Sequence, residues 1–304
     1  MNILLTGASG FIGGYLQNSR GLDIHRSVSR NVLSHSREQF NIDSINSSTN
    51  WKGAFEGVKV VIHLAGLAHK KTFTKEQYQK VNVEGSLHLA SEAFKAGVKR
   101  FVFVSSIGVN GTSTSVNPFS LESIPQPHNP FAESKYNAEI GLKRIADETG
   151  LEVVIVRPTL VYGPNAPGNF RLLTKLVAKL PILPFGLANN NRDFIALQNL
   201  ADLLVTCANH PDAAGHVFLA SDGKSVSTKE FTNALAKGLN KSIIQLPIPN
   251  SFMRLCAKFI GKSEMVEQLL SNLEVDSSNA QAVLGWTPPY TMKQAMSLLS
   301  KIRE

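Results

Sequence analysis

Residues 1–16, MNILLTGASGFIGGYL, decide the fold. A short apolar strand from Ile3 to Thr6 runs into a turn carrying Gly7, Gly10 and Gly13, and a helical segment opens on that turn. Glycine lets the chain turn tightly and lets backbone N–H groups approach a pyrophosphate at the positive end of a helix. GxxGxxG alone is a weak signal, but set between a first strand and a first helix it predicts a phosphate loop for a dinucleotide.

Outward from that loop, β-rich runs alternate with helical stretches, the pattern of parallel βαβ units. Ile3 to Thr6, Val58 to Leu64, Phe101 to Val104, Val153 to Val156 and Val217 to Ala220 read as strands. Several are continuous apolar runs, as expected where helices cover both faces of a sheet. A long helix starts after Asn129, with Pro130 in its first turn, and stops at Gly150. Beyond Gly163 the sequence turns to loops rich in Pro, Gly and Asn, and Phe194 to Ser221 reads as helix then strand returning to the main sheet. The expected fold is α/β, a doubly wound parallel Rossmann sheet with a smaller, discontinuous α/β domain toward the C-terminus. The dinucleotide domain would take residues 1–163 and about 194–221, and a substrate domain about 164–193 and 222–304.

The chain has 304 residues, 43% of them hydrophobic and 18% charged, enough for a large core. No apolar stretch reaches the roughly 18 to 20 residues that cross a bilayer, and the opening is a strand, so the expected location is cytoplasmic. Cys207 and Cys256 are expected as reduced core residues, with no metal-ligand spacing and no metal. The net charge of +8 is scattered, with no basic run, which fits an anionic small molecule and argues against nucleic acid. Amphipathic stretches around Met253 to Ile260 and Met265 to Leu273 are expected to pack on the smaller domain in preference to a membrane surface.

TGASGFIG, residues 6–13, resembles the TGxxGFIG fingerprint of the extended short-chain dehydrogenase/reductases, a family of nucleotide-sugar epimerases, dehydratases and reductases. Further motifs agree in order over nearly the whole chain: HLAG (63–66), NVEGS (82–86), Arg157 and Pro158 followed by VYGP (161–164), and LGWTPP (284–289). The resemblance implies a nicotinamide dinucleotide touching Gly7, Gly10, Phe11, Ile12, Gly13, Leu64, Ala65, Gly66, Asn82, Ser105, Lys135 and Pro158, with Asn41 and Ile42 near the adenine. It places Gly85 in the helix after the fourth strand.

The end of the second strand decides cofactor choice, because an acidic residue there accepts hydrogen bonds from the ribose hydroxyls of NAD. Ser29 and Arg30 stand there instead, and a guanidinium can pair with a 2′-phosphate, so NADP is expected and NAD is the alternative. Arg30 as a solvated surface charge is the competing reading.

In the family a Tyr phenol exchanges the proton of a sugar hydroxyl while the nicotinamide exchanges the hydride. A Lys four residues on lowers the phenol's pKa, and a Ser or Thr bonds the reacting oxygen. NPFAESKYNAE, residues 129–139, puts Lys135 at the lysine position and Phe131 where the tyrosine belongs. Tyr136 is no substitute: Ile140 stands where its lysine would be, and its side chain projects about 140° away from position 131. Ser106 in VSSIGVNG matches the catalytic hydroxyl, with Ser105 its rival. The favoured explanation is a chain engineered from Tyr to Phe to trap a complex. A natural homologue using water or another group, and a binding protein descended from an enzyme, are the alternatives.

On the substrate side the resemblance implies a UDP-sugar in the smaller domain. Asn169 and Arg192 would touch its diphosphate, and PILPFG, ending at Gly186, would lie against the uracil. Asn169 as a helix cap and Arg192 as an interface ion pair are the plain alternatives. The expected function is an NAD(P)-dependent oxidoreductase at C4 of a UDP-sugar, of the UDP-4-keto-6-deoxy-N-acetylhexosamine 4-ketoreductase type serving surface polysaccharide synthesis, crippled by Phe131. The alternatives are a UDP-hexose 4-epimerase and a non-catalytic regulator that binds NAD(P) or UDP-sugar. A homodimer through the helices around Lys75 to Gly97 and Phe131 to Gly150 is what the family suggests.

Overall fold

The computed structural model describes residues 2–19, 24–31, 38–68, 72–259 and 261–300. The chain runs through β1 (Ile3–Thr6), α1 (Phe11–Asn18), β2 (Ile24–Ser29), β3 (Gln39–Asn41) and β4 (Val60–His63). Next come α2 (Lys75–Tyr78), a π-helical stretch (Gln79–Glu84), α3 (Gly85–Lys95), β5 (Arg100–Val104), α4 (Pro130–Thr149) and β6 (Glu152–Pro158). After β7 (Leu160–Tyr162), α5 (Gly168–Lys179), β8 (Ile182–Leu183), β9 (Phe194–Ala196) and α6 (Leu197–Asn209), the strand β10 (Val217–Ala220) follows. The last part holds α7 (Thr228–Gly238), β11 (Ile244–Gln245), α8 (Asn250–Phe259), α9 (Ser263–Leu270), α10 (Ser278–Leu284) and α11 (Met292–Ser297).

Seven parallel strands form one sheet in the order β10-β6-β5-β4-β1-β2-β3. The order of strand addition reverses beside β1, with β2 and β3 on one side and β4 onward on the other. The crevice beyond the carboxyl ends of β1 and β4 is therefore the switch point at which such sheets bind ligands.

The continuous apolar runs follow from the two covered faces. Leu5, Ile62, Val102 and Val154 point into one cluster with residues of α6, while Leu4, Val61, Phe101 and Phe103 point into the other with residues of α3 and α4. Successive strand side chains alternate faces, so both sets must be apolar. A third cluster joins Tyr162, Phe170, Phe194, Phe231 and Leu235 beside the sheet, around the small parallel pairs β7-β9 and β8-β11.

The helix α4 matches its sequence signals. The Asn129 side chain accepts from the Ala132 N–H at 2.9 Å, Pro130 opens the helix, and Gly150 closes it in the left-handed region at φ 81°. Two expectations need correction. Cys207 is buried but Cys256 is exposed. It belongs to an outward stripe of α8 with Phe252, Leu255 and Phe259, of which Phe259 is 82% exposed. The amphipathic stretch does pack on the third cluster through Met253, Val266 and Leu269, yet α8 carries a second apolar stripe that stays outside. No helix among the described residues is long and apolar enough to cross a membrane.

Candidate active site

Gly7 has a left-handed backbone, φ 70°, and a Cβ there would stand 2.8 Å from the Ala65 nitrogen. The turn after β1 therefore presses directly on the segment after β4. A Cβ on Gly13 would stand 2.2 Å from the Gly7 carbonyl oxygen, so this position too requires glycine. The Gly10 N–H donates to the Gly7 carbonyl at 2.9 Å and fixes the turn.

Beneath this contact lies a buried chain of hydrogen bonds. The Ser86 hydroxyl donates to the Asn82 carbonyl at 2.7 Å, so it accepts from His63 Nε2, 2.9 Å away. His63 Nδ1 must then accept from the Thr6 hydroxyl, at 2.7 Å. Burial, helped by the charge of Lys135, pushes the His63 pKa down to about 3, so the ring is neutral. The Asn82 amide receives the Leu67 N–H at 2.7 Å and gives to the Leu67 carbonyl at 3.1 Å and the Ser134 hydroxyl at 2.9 Å. It clamps the segment after β4 onto α4.

Lys135 Nζ is buried at the end of β5, 2.9 Å from the Val104 carbonyl that accepts from it and 4.6 Å from the centre of the Phe103 ring. Burial outweighs the Glu139 carboxylate and lowers its pKa to about 8. A Cβ on Gly66 would stand 3.0 Å from Asn82 Oδ1 and 3.5 Å from Lys135 Nζ, so the glycine keeps this corner open. Beside it, the Ser105 hydroxyl is buried with no hydrogen-bond partner among the described residues. An ammonium with donors to spare and an orphaned hydroxyl, above a glycine-lined turn, fit the oxygen-rich ribose and phosphates of a dinucleotide.

Ser106 leaves β5 half-buried, and its hydroxyl accepts from the Gly108 N–H at 3.1 Å. Phe131 lies half-buried in the first turn of α4, its ring 6.2 Å from the buried Tyr78 ring and roughly edge-on to it. No hydroxyl replaces the missing phenol on that turn, because Ser134 is already committed, donating to the Phe131 carbonyl at 2.7 Å.

An imidazole not anticipated from the sequence borders the same corner. A Cβ on Gly108 would lie 3.3 Å from Ser106 Oγ and 3.6 Å from His128 Cε1. His128 as a whole is exposed, but its ring rests on Gly108, and that loss of solvent lowers its pKa despite the Gly108 carbonyl and the Glu264 carboxylate, which raise it. His128 Nε2 receives the Asn129 amide N–H at 2.8 Å, from the same side chain that caps α4. The sequence signal was available: a titratable residue three positions before Phe131.

Arg157 was noted as a motif residue without its partners. It is buried, held by Glu139 through two bonds of 3.0 and 2.5 Å and by the Asn110 side-chain oxygen at 3.0 Å. Glu139 lies one turn beyond Lys135 on α4, a spacing at which helix side chains meet on one face.

The substrate-side residues are less gathered. Asn169 is exposed in the first turn of α5 and donates to Gln268 at 2.6 Å, without capping the helix. Arg192 is half-buried, donates to the Ser271 carbonyl at 2.8 Å and has its pKa lowered to about 10 by burial. No carboxylate pairs with it among the described residues. Gly186 is required by packing, since a Cβ would stand 2.6 Å from the Leu246 carbonyl oxygen. Arg30 is exposed just past β2, Asn41 is exposed at the end of β3, and Ile42 is half-buried beside them. Residues 32–37, between these strands, lie outside the described residues.

Against known proteins, residues 3–220 match the model of the NAD dependent epimerase/dehydratase family. The chain belongs to that family. Its cofactor is accordingly a nicotinamide dinucleotide. A UDP-glucose 4-epimerase from Vibrio cholerae is 41% identical over 303 residues, covering 96% of this chain and 92% of that protein. Among solved structures, a UDP-N-acetylglucosamine 4-epimerase from Bacillus cereus shares the fold at a TM-score of 0.80 with 19% identity, covering 99% of both chains. A UDP-glucuronic acid 4-epimerase from the same organism, solved with NAD, shares it at 0.77 with 19% identity over the whole of both chains.

Proposed function

We propose that this protein oxidises and reduces C4 of a UDP-hexose as a 4-epimerase, with slow turnover because position 131 lacks a phenol. The observation that carries the reading is the 41% identity with the Vibrio protein over almost the full length of both. The cluster of Lys135, Ser105 and Ser106 at the ends of the central strands supports it.

When bound, the dinucleotide supplies reversible hydride uptake. Lys135 bonds its ribose hydroxyls and adds positive charge to the corner, where low solvent exposure strengthens the field. Ser106 donates to the sugar oxygen that loses and regains its proton. Arg192 and Asn169 meet the substrate's diphosphate from the smaller domain, whose segments are about 164–193 and 222–304. Charge-assisted bonds from a guanidinium suit that role. Exposed Ile140 on α4 and Phe94 on α3 support pairing of two chains through these helices.

A net reductase of a UDP-4-keto sugar is the second reading, favoured by Arg30 where an acidic residue would accept from the NAD ribose. Assays on the parent and on Phe131→Tyr separate the two. Interconversion of UDP-glucose and UDP-galactose without net NADPH consumption supports the epimerase, and NADPH oxidation by a UDP-4-keto sugar alone supports the reductase. A positioned general acid is worth on the order of 10² to 10⁴ in rate, so Phe131→Tyr is expected to be the faster protein. Tight ligand binding with inertness in both assays overturns both readings in favour of a binding protein.

A further inference from the structure

We infer that His128 carries the proton transfer left vacant by Phe131, with its imidazole acting on the substrate hydroxyl that Ser106 bonds. The inference rests on the C4 chemistry proposed above.

Around Phe131, three other hydrogen-bonding side chains compete. Tyr78 is buried, 6% exposed, with its ring set against Phe131 and Phe73. Tyr136 sits five residues along the helix, on another face. The Ser134 hydroxyl is consumed by the Phe131 carbonyl and the Asn82 amide. Of the four, His128 is the one that flanks Gly108 together with Ser106: a Cβ on that glycine would lie 3.6 Å from His128 Cε1 and 3.3 Å from Ser106 Oγ.

Its bonding suits a base. Because Nε2 accepts from the Asn129 amide, the ring proton of the neutral imidazole sits on Nδ1. A neutral ring fixed in this tautomer presents Nε2 as the base, and a substrate hydroxyl takes the place of the Asn129 amide there. Glu264 of α9 is the charged group that acts on the ring, and it stabilises the imidazolium formed when the proton arrives.

In the oxidising half-step the hydroxyl O–H bond breaks and its proton goes to Nε2. The oxygen's electron pair closes the C4 carbonyl, and the C4–H pair leaves as the hydride that the bound dinucleotide accepts. In the return half-step the hydride comes back to C4 and Nε2 returns the proton to the oxygen. Nothing is consumed, and His128 ends neutral.

Four proteins test this with dinucleotide bound: the parent, His128→Gln, Phe131→Tyr and the double variant. The parent is expected to turn over slowly, and His128→Gln to lower kcat by about tenfold or more with KM within about threefold. In the Phe131→Tyr background the same substitution is expected to change kcat by less than about threefold, since the phenol then does the work. The parent's kcat should fall as acid protonates His128, a limb absent from His128→Gln. Independently of turnover, imidazole ¹⁵N resonances of His128 should shift on adding UDP-galactose and much less on adding UDP.

Equal losses in both backgrounds would mean a structural role and overturn the inference. So would an inert parent beside an active Phe131→Tyr, a result that leaves the C4 reading standing. Inertness of all four proteins overturns that reading itself.

Discussion

At the scale of single residues, the site depends on one ammonium group held where water is scarce. Lys135 has given one donor to the Val104 carbonyl and keeps the rest for a ligand. Lys135→Met keeps most of the volume and removes the charge. Losing a charge-assisted hydrogen bond of about 1.5 to 3 kcal/mol should weaken dinucleotide binding by roughly 10- to 100-fold in calorimetry, with the fold unchanged by circular dichroism. Arg30 is proposed to bear on selectivity instead. If it meets a 2′-phosphate, Arg30→Ala weakens NADP by about tenfold or more and leaves NAD nearly unchanged, and equal effects on the two would sink the NADP assignment. Lys135 and the gap at Phe131 were legible because the family pattern they resemble, a Tyr four residues before a Lys, is local in sequence. His128 and Glu139 were not singled out, because their meaning depends on Gly108 and Arg157, which reach them only in the folded chain.

At the scale of elements, α4 brings most of the chemistry together, and its start fixes the neighbouring imidazole as well. The Asn129 side chain both caps the helix and bonds His128. Asn129→Ala should cost about 1 kcal/mol of stability in urea unfolding, and should also broaden or shift the His128 imidazole resonances. The cap, the proline and the closing glycine made this helix readable in advance. The π-helical stretch Gln79–Glu84 was not readable, although it carries Asn82, since no residue pattern specifies the extra residue per turn. The outward stripe of α8 escaped for a different reason. Met253 and Ala257 mark one apolar side, Phe252, Leu255 and Phe259 mark another, and periodicity alone does not say which meets the core.

At the scale of the whole molecule, the parallel sheet places the ends of β1, β4 and β5 side by side, which is why distant motifs converge. The alternation of strands and helices announced that arrangement, while pairs as short as β8-β11 had no run long enough to stand out. Its stability carries a pH signature. Folded His63 titrates at about 3 against an ordinary 6.5, so the unfolded chain binds the extra proton between these values. The stability due to the neutral ring is complete above pH 6.5 and is lost as pH falls toward 3, by up to about 1.4 kcal/mol per pH unit. His63→Gln keeps a side-chain donor but does not titrate, so the parent's advantage over it in urea should shrink from pH 7 to pH 5. The contact between Gly7 and Ala65 has its own consequence for how such a protein can change. The turn after β1 is tied to the segment after β4, since any side chain at Gly7 intrudes on the backbone of Leu64 and Ala65. Arg30 and Asn41 stand exposed at the rim, free of that interlock. On the proposed roles of Arg30 and Asn41, one dinucleotide is exchanged for the other by editing the rim while the centre is left as it is.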